Sequence, residues 1–346
     1  MKKPLSYKSS GVNRDTENET KEGIASALQT ADKRVLNQVG AFASLYDGEF
    51  PGYEHPVLVL KTEEPGTKQL LAFQHDRYES VCRDLINHLV NDCIVMGAKP
   101  LSIQDCIVCG KVEKPVVLRM VNAFAETAKE NECTLTGGET SWQPGVIPEG
   151  TYILTASIVG VVEKERIIDG SKIQKGDTVI ALTSSGVHTN GISLVRKIME
   201  ENPDILKEKV GGDTFIEAIL TPHRAYYKVL KDLFTNDGLV GLAHITGGGI
   251  QENLNRILPE GLSASIDLSK IRILPVFNTL RKFGGLEDAD MLRTFNMGVG
   301  ITAVVRKEFA EEAMAHIKAQ GIEAYEVGTI VEGNKTVEFT GQLQWL

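Results

Sequence analysis

The 346-residue chain predicts an α+β protein of two domains, with a mixed sheet in the first. Three observations carry this. β-Branched runs alternate with long helical patterns, a turn-rich stretch at Asp169-Gly170-Ser171 and Lys175-Gly176-Asp177 interrupts them midway, and the length suits roughly two cores. The chain divides into an arm over residues 1–40, a first domain over 41–168 and a second over 169–346.

The arm is charge-mixed, too hydrophilic over residues 13–21 for a core element, and expected to be mobile. In the first domain, residues 56–61, 101–109 and 152–162 read as strands, and 77–96 and 115–131 as helices. A sheet of four or more strands with helices on one side follows. In the second domain, residues 178–183, 295–305, 324–331 and 336–340 read as strands. Residues 191–201, 214–234, 249–258, 274–283 and 308–320 read as helices. No fixed-period repeat is present, which excludes solenoids and propellers.

With 46 acidic and 37 basic residues, a net charge of -9 and no dense basic stretch, the chain lacks the electrostatic footprint of a nucleic-acid binder. The longest apolar run, residues 152–162, is too short to span a bilayer, and the start Met1-Lys2-Lys3-Pro4 has no apolar signal core. No membrane partner and a cytoplasmic location are expected. Cys82, Cys93, Cys106, Cys109 and Cys133 form an odd set within apolar stretches and read as reduced core thiols. Cys106 and Cys109 have the spacing of a metal or redox pair, but a strand points them to opposite faces and no second pair is near.

Residues 61–68, Lys-Thr-Glu-Glu-Pro-Gly-Thr-Lys, combine two carboxylates, a glycine and two lysines directly after a strand. That mixture suits magnesium-bridged polyphosphate and equally suits a solvated turn. On the helix over residues 77–96, Asp84, Asn87, His88, Asn91 and Asp92 recur at helical spacing as one polar stripe. It is either a solvent face or, being short acids, amides and a histidine, a set that holds metals or fixed hydrogen bonds. Three glycine-rich junctions follow at Gly137-Gly138-Glu139-Thr140, Ser184-Ser185-Gly186-Val187-His188-Thr189-Asn190-Gly191 and His244-Ile245-Thr246-Gly247-Gly248-Gly249. The last two open helices, whose free N–H groups favour anions. Walker, Rossmann, G-x-S-x-G and H-E-x-x-H signatures are absent.

In order along the chain, these segments resemble the phosphoribosylformylglycinamidine cyclo-ligase family, also called aminoimidazole ribonucleotide synthetase. The match begins at Leu5-Ser6-Tyr7-Lys8 and includes Val90-Asn91-Asp92, Gly97-Ala98-Lys99-Pro100, Gly137-Gly138-Glu139-Thr140, Ile168-Asp169-Gly170, Glu252-Asn253 and Arg293-Thr294-Phe295-Asn296. The resemblance implies that family's fold, unrelated to ATP-grasp: an N-terminal mixed sheet that forms a barrel in a homodimer, and a C-terminal α/β sandwich. It implies ATP, Mg2+ and the small-molecule substrate formylglycinamidine ribonucleotide, cyclised to aminoimidazole ribonucleotide with release of ADP and phosphate.

Carried over by position, Glu63, Gly66, Thr67, Lys68, Asn91, Asp92, Gly137, Gly138, Glu139 and Thr140 are expected at the nucleotide, with Glu63, Asp92 and Glu139 as metal ligands. Ser185, Gly186, His188, Asn190, Thr246, Gly247 and Gly248 are expected at the substrate, and Lys68, His188 and His244 as catalytic residues. The acidic loop departs from the family's T-D-G-V-G-T-K: Glu63 is one methylene longer than aspartate, Glu64 replaces a glycine, and Pro65 removes a backbone donor. Two further readings accompany this one: a non-catalytic paralogue and another ATP-using member of the superfamily.

Overall fold

The computed structural model describes residues 14–28, 32–37 and 41–345. The matching segment at residues 5–8, along with Val39 and Gly40 of the N-terminal part, lies outside them.

In the first half, β1 (Pro56–Glu63), β2 (Lys99–Cys109), β3 (Thr134–Trp142) and β4 (Tyr152–Glu163) form one sheet in the order β1-β4-β2-β3. β1–β4 and β4–β2 are antiparallel and β2–β3 is parallel, so the sheet is mixed as expected. The parallel pair needs a crossover, and α4 (Lys114–Glu130) supplies it. With α2 (Lys68–Gln74) and α3 (Tyr78–Ile94), it covers one face. β1 alternates strictly: Val57, Val59, Lys61 and Glu63 turn toward α3, while Leu58 and Leu60 stand exposed on the other face at 53% and 70%.

Part of the arm, Arg14–Ala27, is a helix (α1) that packs on α4, because Ile24, Ala27 and Leu28 supply an apolar edge beyond the hydrophilic stretch. The glycine pair at 137–138 is strand rather than turn: both residues pair in register with β2, and Gly138 sits opposite Asp105.

In the second half, β5 (Thr178–Thr183), α5 (Ile192–Glu201) and a short ribbon of β6 (Lys209–Val210) and β7 (Asp213–Thr214) lead into α6 (Phe215–Leu220) and α7 (Tyr227–Leu230). β8 (Leu239–His244), α8 (Gly249–Asn255), β9 (Leu262–Asp267), α9 (Pro275–Gly284), α10 (Asp288–Thr294), β10 (Val299–Val305), α11 (Ala310–Ala319), β11 (Ala324–Glu332) and β12 (Val337–Thr340) complete it. The sheet order is β12-β9-β11-β5-β10-β8. β8 and β10 are buried along their whole length, which is why they read as continuous apolar runs rather than alternating ones.

The expected helix over residues 214–234 is broken. α6 ends at Leu220, residues 221–226 form a loop, and helix resumes at Tyr227. Pro222 is the cause: it pushes Thr221 out of the helical region, to φ -55 and ψ 127, and offers no N–H to a helix. That loop positions the site. Among the described residues, no helix is long and apolar enough to cross a membrane.

Candidate active site

The polar stripe of α3 faces the second domain rather than solvent. Asp84 Oδ1 accepts from the His223 N–H at 2.8 Å, and Asn87 Nδ2 donates to the His223 carbonyl at 2.7 Å. One turn on, Asn91 Nδ2 donates to the Arg224 carbonyl at 2.8 Å, and its Oδ1 accepts from the Tyr226 N–H at 3.2 Å. A buried loop has no ladder to satisfy its backbone, so these side chains supply the partners that a strand or helix would. Lys68 joins them: its ammonium donates to Asp84 Oδ1 and to the Thr221 carbonyl, both at 2.9 Å.

At the C-terminal end of the stripe, Asp92 Oδ1 accepts from His244 Nδ1 at 2.7 Å. Lys61 Nζ lies 3.0 Å from Glu63 Oε1 and 3.1 Å from Asp92 Oδ2, bridging the two acids. His88 Nε2 is 3.7 Å from each of the same two carboxylates. Burial opposes the Asp92 charge, but the His244 hydrogen bond and the charges of His244, His88 and Lys61 outweigh it and hold the carboxyl well below its usual range. Burial, aided by repulsion from His244, brings His88 down to about 4. Asp92 is therefore ionised and can only accept, so Nδ1 of His244 carries a proton, and in the neutral ring Nε2 presents a lone pair. That Nε2 is buried and has no partner.

The second-domain junctions close the cleft. His188 is fully buried and takes a left-handed backbone with φ 58, a conformation that costs a non-glycine residue on the order of 1–2 kcal/mol and concentrates at functional sites. Its ring centroid lies 3.8 Å from that of His223. Burial, with repulsion among neighbouring cations, lowers both His188 and His223 well below the usual value, so both are neutral at pH 7. Ser185 Oγ donates to the Pro222 carbonyl at 2.7 Å, tying this junction to the loop. Asn253 Nδ2 donates to the carbonyls of Thr246, Gly247 and Gly249, holding the third junction where Gly248 turns at φ 89. His188 Nδ1, Asn190 Nδ2, both nitrogens of His223 and His244 Nε2 are buried without partners. Such atoms are costly unless a polar ligand meets them.

Family profiles described as AIR synthase related protein, N-terminal domain and C-terminal domain, match residues 53–162 and 174–340. The phosphoribosylformylglycinamidine cyclo-ligase of Caldanaerobacter subterraneus subsp. tengcongensis is 43% identical over 336 residues, covering 95% of this chain and 98% of its own. The chain belongs to the phosphoribosylformylglycinamidine cyclo-ligase family. A protein of the same name from Nitrosococcus oceani is 41% identical over 329 residues, covering 95% of this chain and 92% of its own. Among solved structures, E. coli HypE superposes with a TM-score of 0.68 at 16% identity over 94% of both chains. Thiamine-monophosphate kinase from Stenotrophomonas maltophilia does so with a TM-score of 0.64 at 16% identity, over 93% of this chain and 96% of its own. At these identities the two share the fold alone, the two-domain α+β architecture of the family.

In this cyclo-ligase family member, the residues expected at the site separate into two groups. Asp92, Asn91, His188, Asn190, His244 and Thr246 meet at the seam or on its wall. Gly66 and Thr67 approach it, with Thr67 Oγ1 3.4 Å from Ser193 Oγ of α5. Lys68 lies apart from the cleft: its side chain has 0% exposure and its ammonium is held by Asp84 and Thr221. Glu139 does not join Glu63 and Asp92 either. Glu63, Ala156, Asp105 and Gly138 form one row across the sheet, three strand spacings or about 14 Å from end to end, and Glu139 follows on the alternate face. Gly137, Gly138 and Thr140 lie on that same distant strand.

Three residues of the neighbourhood were given no individual role by the sequence: Lys61, His223 and Asp105. The signal for His223 was Pro222, which marks a break and so a residue free to face the seam. Asp105 lies under Gly138, where a Cβ would come 2.3 Å from its Oδ1; only glycine leaves room for the carboxylate. Burial, and secondarily the Glu139 charge, push the Asp105 carboxyl up to about 7. A folded-state value above the unfolded one means that the folded chain holds an extra proton, so stability is lost as pH rises from about 4 through about 7. Asp105→Asn removes this loss. Urea unfolding at pH 5 and pH 8 is expected to show the variant gaining on the parent at the higher pH, with a ceiling of about 4 kcal/mol.

Proposed function

We propose that this chain is a phosphoribosylformylglycinamidine cyclo-ligase that works at the seam between its domains. It closes formylglycinamidine ribonucleotide to aminoimidazole ribonucleotide while ATP becomes ADP and phosphate. The observation that carries the reading is the Asp92–His244 pair beside a set of buried, unpartnered histidine and asparagine atoms, in a family whose relatives bear that name.

The formyl oxygen is a poor leaving group until it is phosphorylated; the ring-closing nitrogen then displaces phosphate and sheds a proton. His244 Nε2, held as a lone pair by Asp92, is placed to take that proton, and the neutral His188 and the Asn190 amide line the wall that orients the substrate. Glu63 and Asp92 already flank one cation, the Lys61 ammonium, so the pair fits Mg2+ once Lys61 withdraws. When bound there, Mg2+ neutralises the phosphates of ATP. Phosphate release is expected to require ATP, Mg2+ and formylglycinamidine ribonucleotide together. Release that ignores the ribonucleotide, or none at all, removes the proposal.

The reading includes a cytoplasmic homodimer. Support comes from five free cysteines, which suit a reducing compartment, and from the helix-free sheet face, where Leu58, Leu60 and Ile153 are exposed. Leu60→Glu places a charge in that face and is expected to shift the chain from dimer to monomer in sedimentation velocity. An unchanged dimer would place the interface elsewhere.

A further inference from the structure

We propose that His188, His223 and His244 form a site for one divalent transition-metal ion of the zinc class at the seam between the two domains. Three of the seven histidines in the chain converge here. His188, His223 and His244 each offer a ring nitrogen, and the three lie within 4.8 Å of one another in a buried setting. Tetrahedral zinc with Zn–N of about 2.0–2.1 Å sets its ligand nitrogens about 3.3 Å apart, a contraction that ring rotation can provide. The His88 ring centroid is 5.1 Å from those of both His223 and His244, but its nitrogens face the Thr189 hydroxyl at 3.4 Å and the Glu63 and Asp92 carboxylates at 3.7 Å, so the fourth position is left to water.

Packing alone does not explain the cluster. Neither nitrogen of His223 has a partner, although the residue is 1% exposed. His244 donates Nδ1–H to Asp92 and leaves Nε2 free, the arrangement by which a carboxylate fixes a ligand histidine's tautomer and aims its lone pair at a metal. His188 Nε2 meets the amides of Ser185 and Arg224 only at 3.3 and 3.5 Å, and its Nδ1 meets nothing. Contacts of that length are weak, so the ring can turn a lone pair inward at small cost.

Ligand chemistry selects the ion. Three imidazoles suit zinc, copper or nickel and not magnesium, which demands oxygen. The ion is therefore not the Mg2+ of the Glu63 and Asp92 pair. It takes the His244 Nε2 lone pair that the cyclo-ligase reading gives to the ring proton, so the zinc-bound chain is a blocked state of that enzyme.

The test uses the full chain and Zn2+ alone, without ATP or ribonucleotide, so that its outcome is independent of the cyclo-ligase assay. Calorimetry is expected to show one Zn2+ per chain, with affinity at least tenfold weaker in His223→Ala and in His223→Gln, and unchanged in His75→Ala, whose histidine is exposed. No uptake, or uptake insensitive to both His223 variants, overturns the proposal. Co2+ added to the unaltered chain gives a readout that needs no variant. Intense tetrahedral d–d bands without thiolate charge transfer support a histidine site; a weak octahedral spectrum or a thiolate band contradicts it.

Discussion

Asp84→Ala is expected to lower the unfolding free energy by about 3–5 kcal/mol, the usual consequence of removing one partner of a buried ion pair. Lys68 and Asp84 both have 0% side-chain exposure, and after the substitution the ammonium keeps only the Thr221 carbonyl. Burial pulls the Lys68 ammonium below its ordinary value and pushes the Asp84 carboxyl up to about 6, each partly restored by the other. Without Asp84, the folded chain favours neutral Lys68 while the unfolded chain binds the proton. The variant's deficit is therefore expected to grow as pH falls. The double variant Lys68→Met with Asp84→Leu replaces the pair by apolar groups and is expected to recover most of the loss in urea unfolding. About 1 kcal/mol remains missing, because the His223 N–H has lost its acceptor. The same double variant is expected to retain substrate-dependent turnover, since Lys68 braces the loop over residues 221–226 and does not touch the cleft. Abolished turnover in a well-folded double variant would return Lys68 to the phosphates.

Asp92→Asn is expected to reduce kcat/KM on the order of 100-fold, the scale seen when the partner orienting a functional histidine is removed. Asparagine keeps the size of the group but not its charge. Lys61 then has one carboxylate instead of two, and the side chain can present its amide N–H to His244 and reverse the tautomer. Because Asp92 and His244 act as a unit, Asp92→Asn combined with His244→Asn should be no worse than the poorer single variant. Losses that multiply in steady-state kinetics would mean that the two residues act separately.

Helical spacing alone placed Asp84, Asn87, His88, Asn91 and Asp92 on one face of α3, and the structure uses all five. What that face binds was not legible, because its partner lies more than a hundred residues away in a loop that composition makes look helical. Pro222 was the local sign of the break, and an apolar helical periodicity on either side masked it. The strands β1, β4 and β5 were read almost to their ends from β-branched runs. β3 was missed because Gly137 and Gly138 have poor strand propensity, and pairing with β2 overrides it. Lys68 shows the limit of motif reading. The G-T-K ending is visible in sequence, whereas the burial of its lysine depends on Asp84, sixteen residues on, and on Thr221 in the other domain.

If the Asp92–His244 seam closes the ring of a phosphorylated formyl group, ADP and the imidazole product form in step. A single-turnover reaction with Mg2+, ATP and formylglycinamidine ribonucleotide, quantifying ADP and aminoimidazole ribonucleotide together, measures this. One aminoimidazole ribonucleotide is expected for each ADP, with both lost together in Asp92→Asn. ADP formed without the imidazole product, or no ADP from a folded chain, would rule out ring closure at this seam.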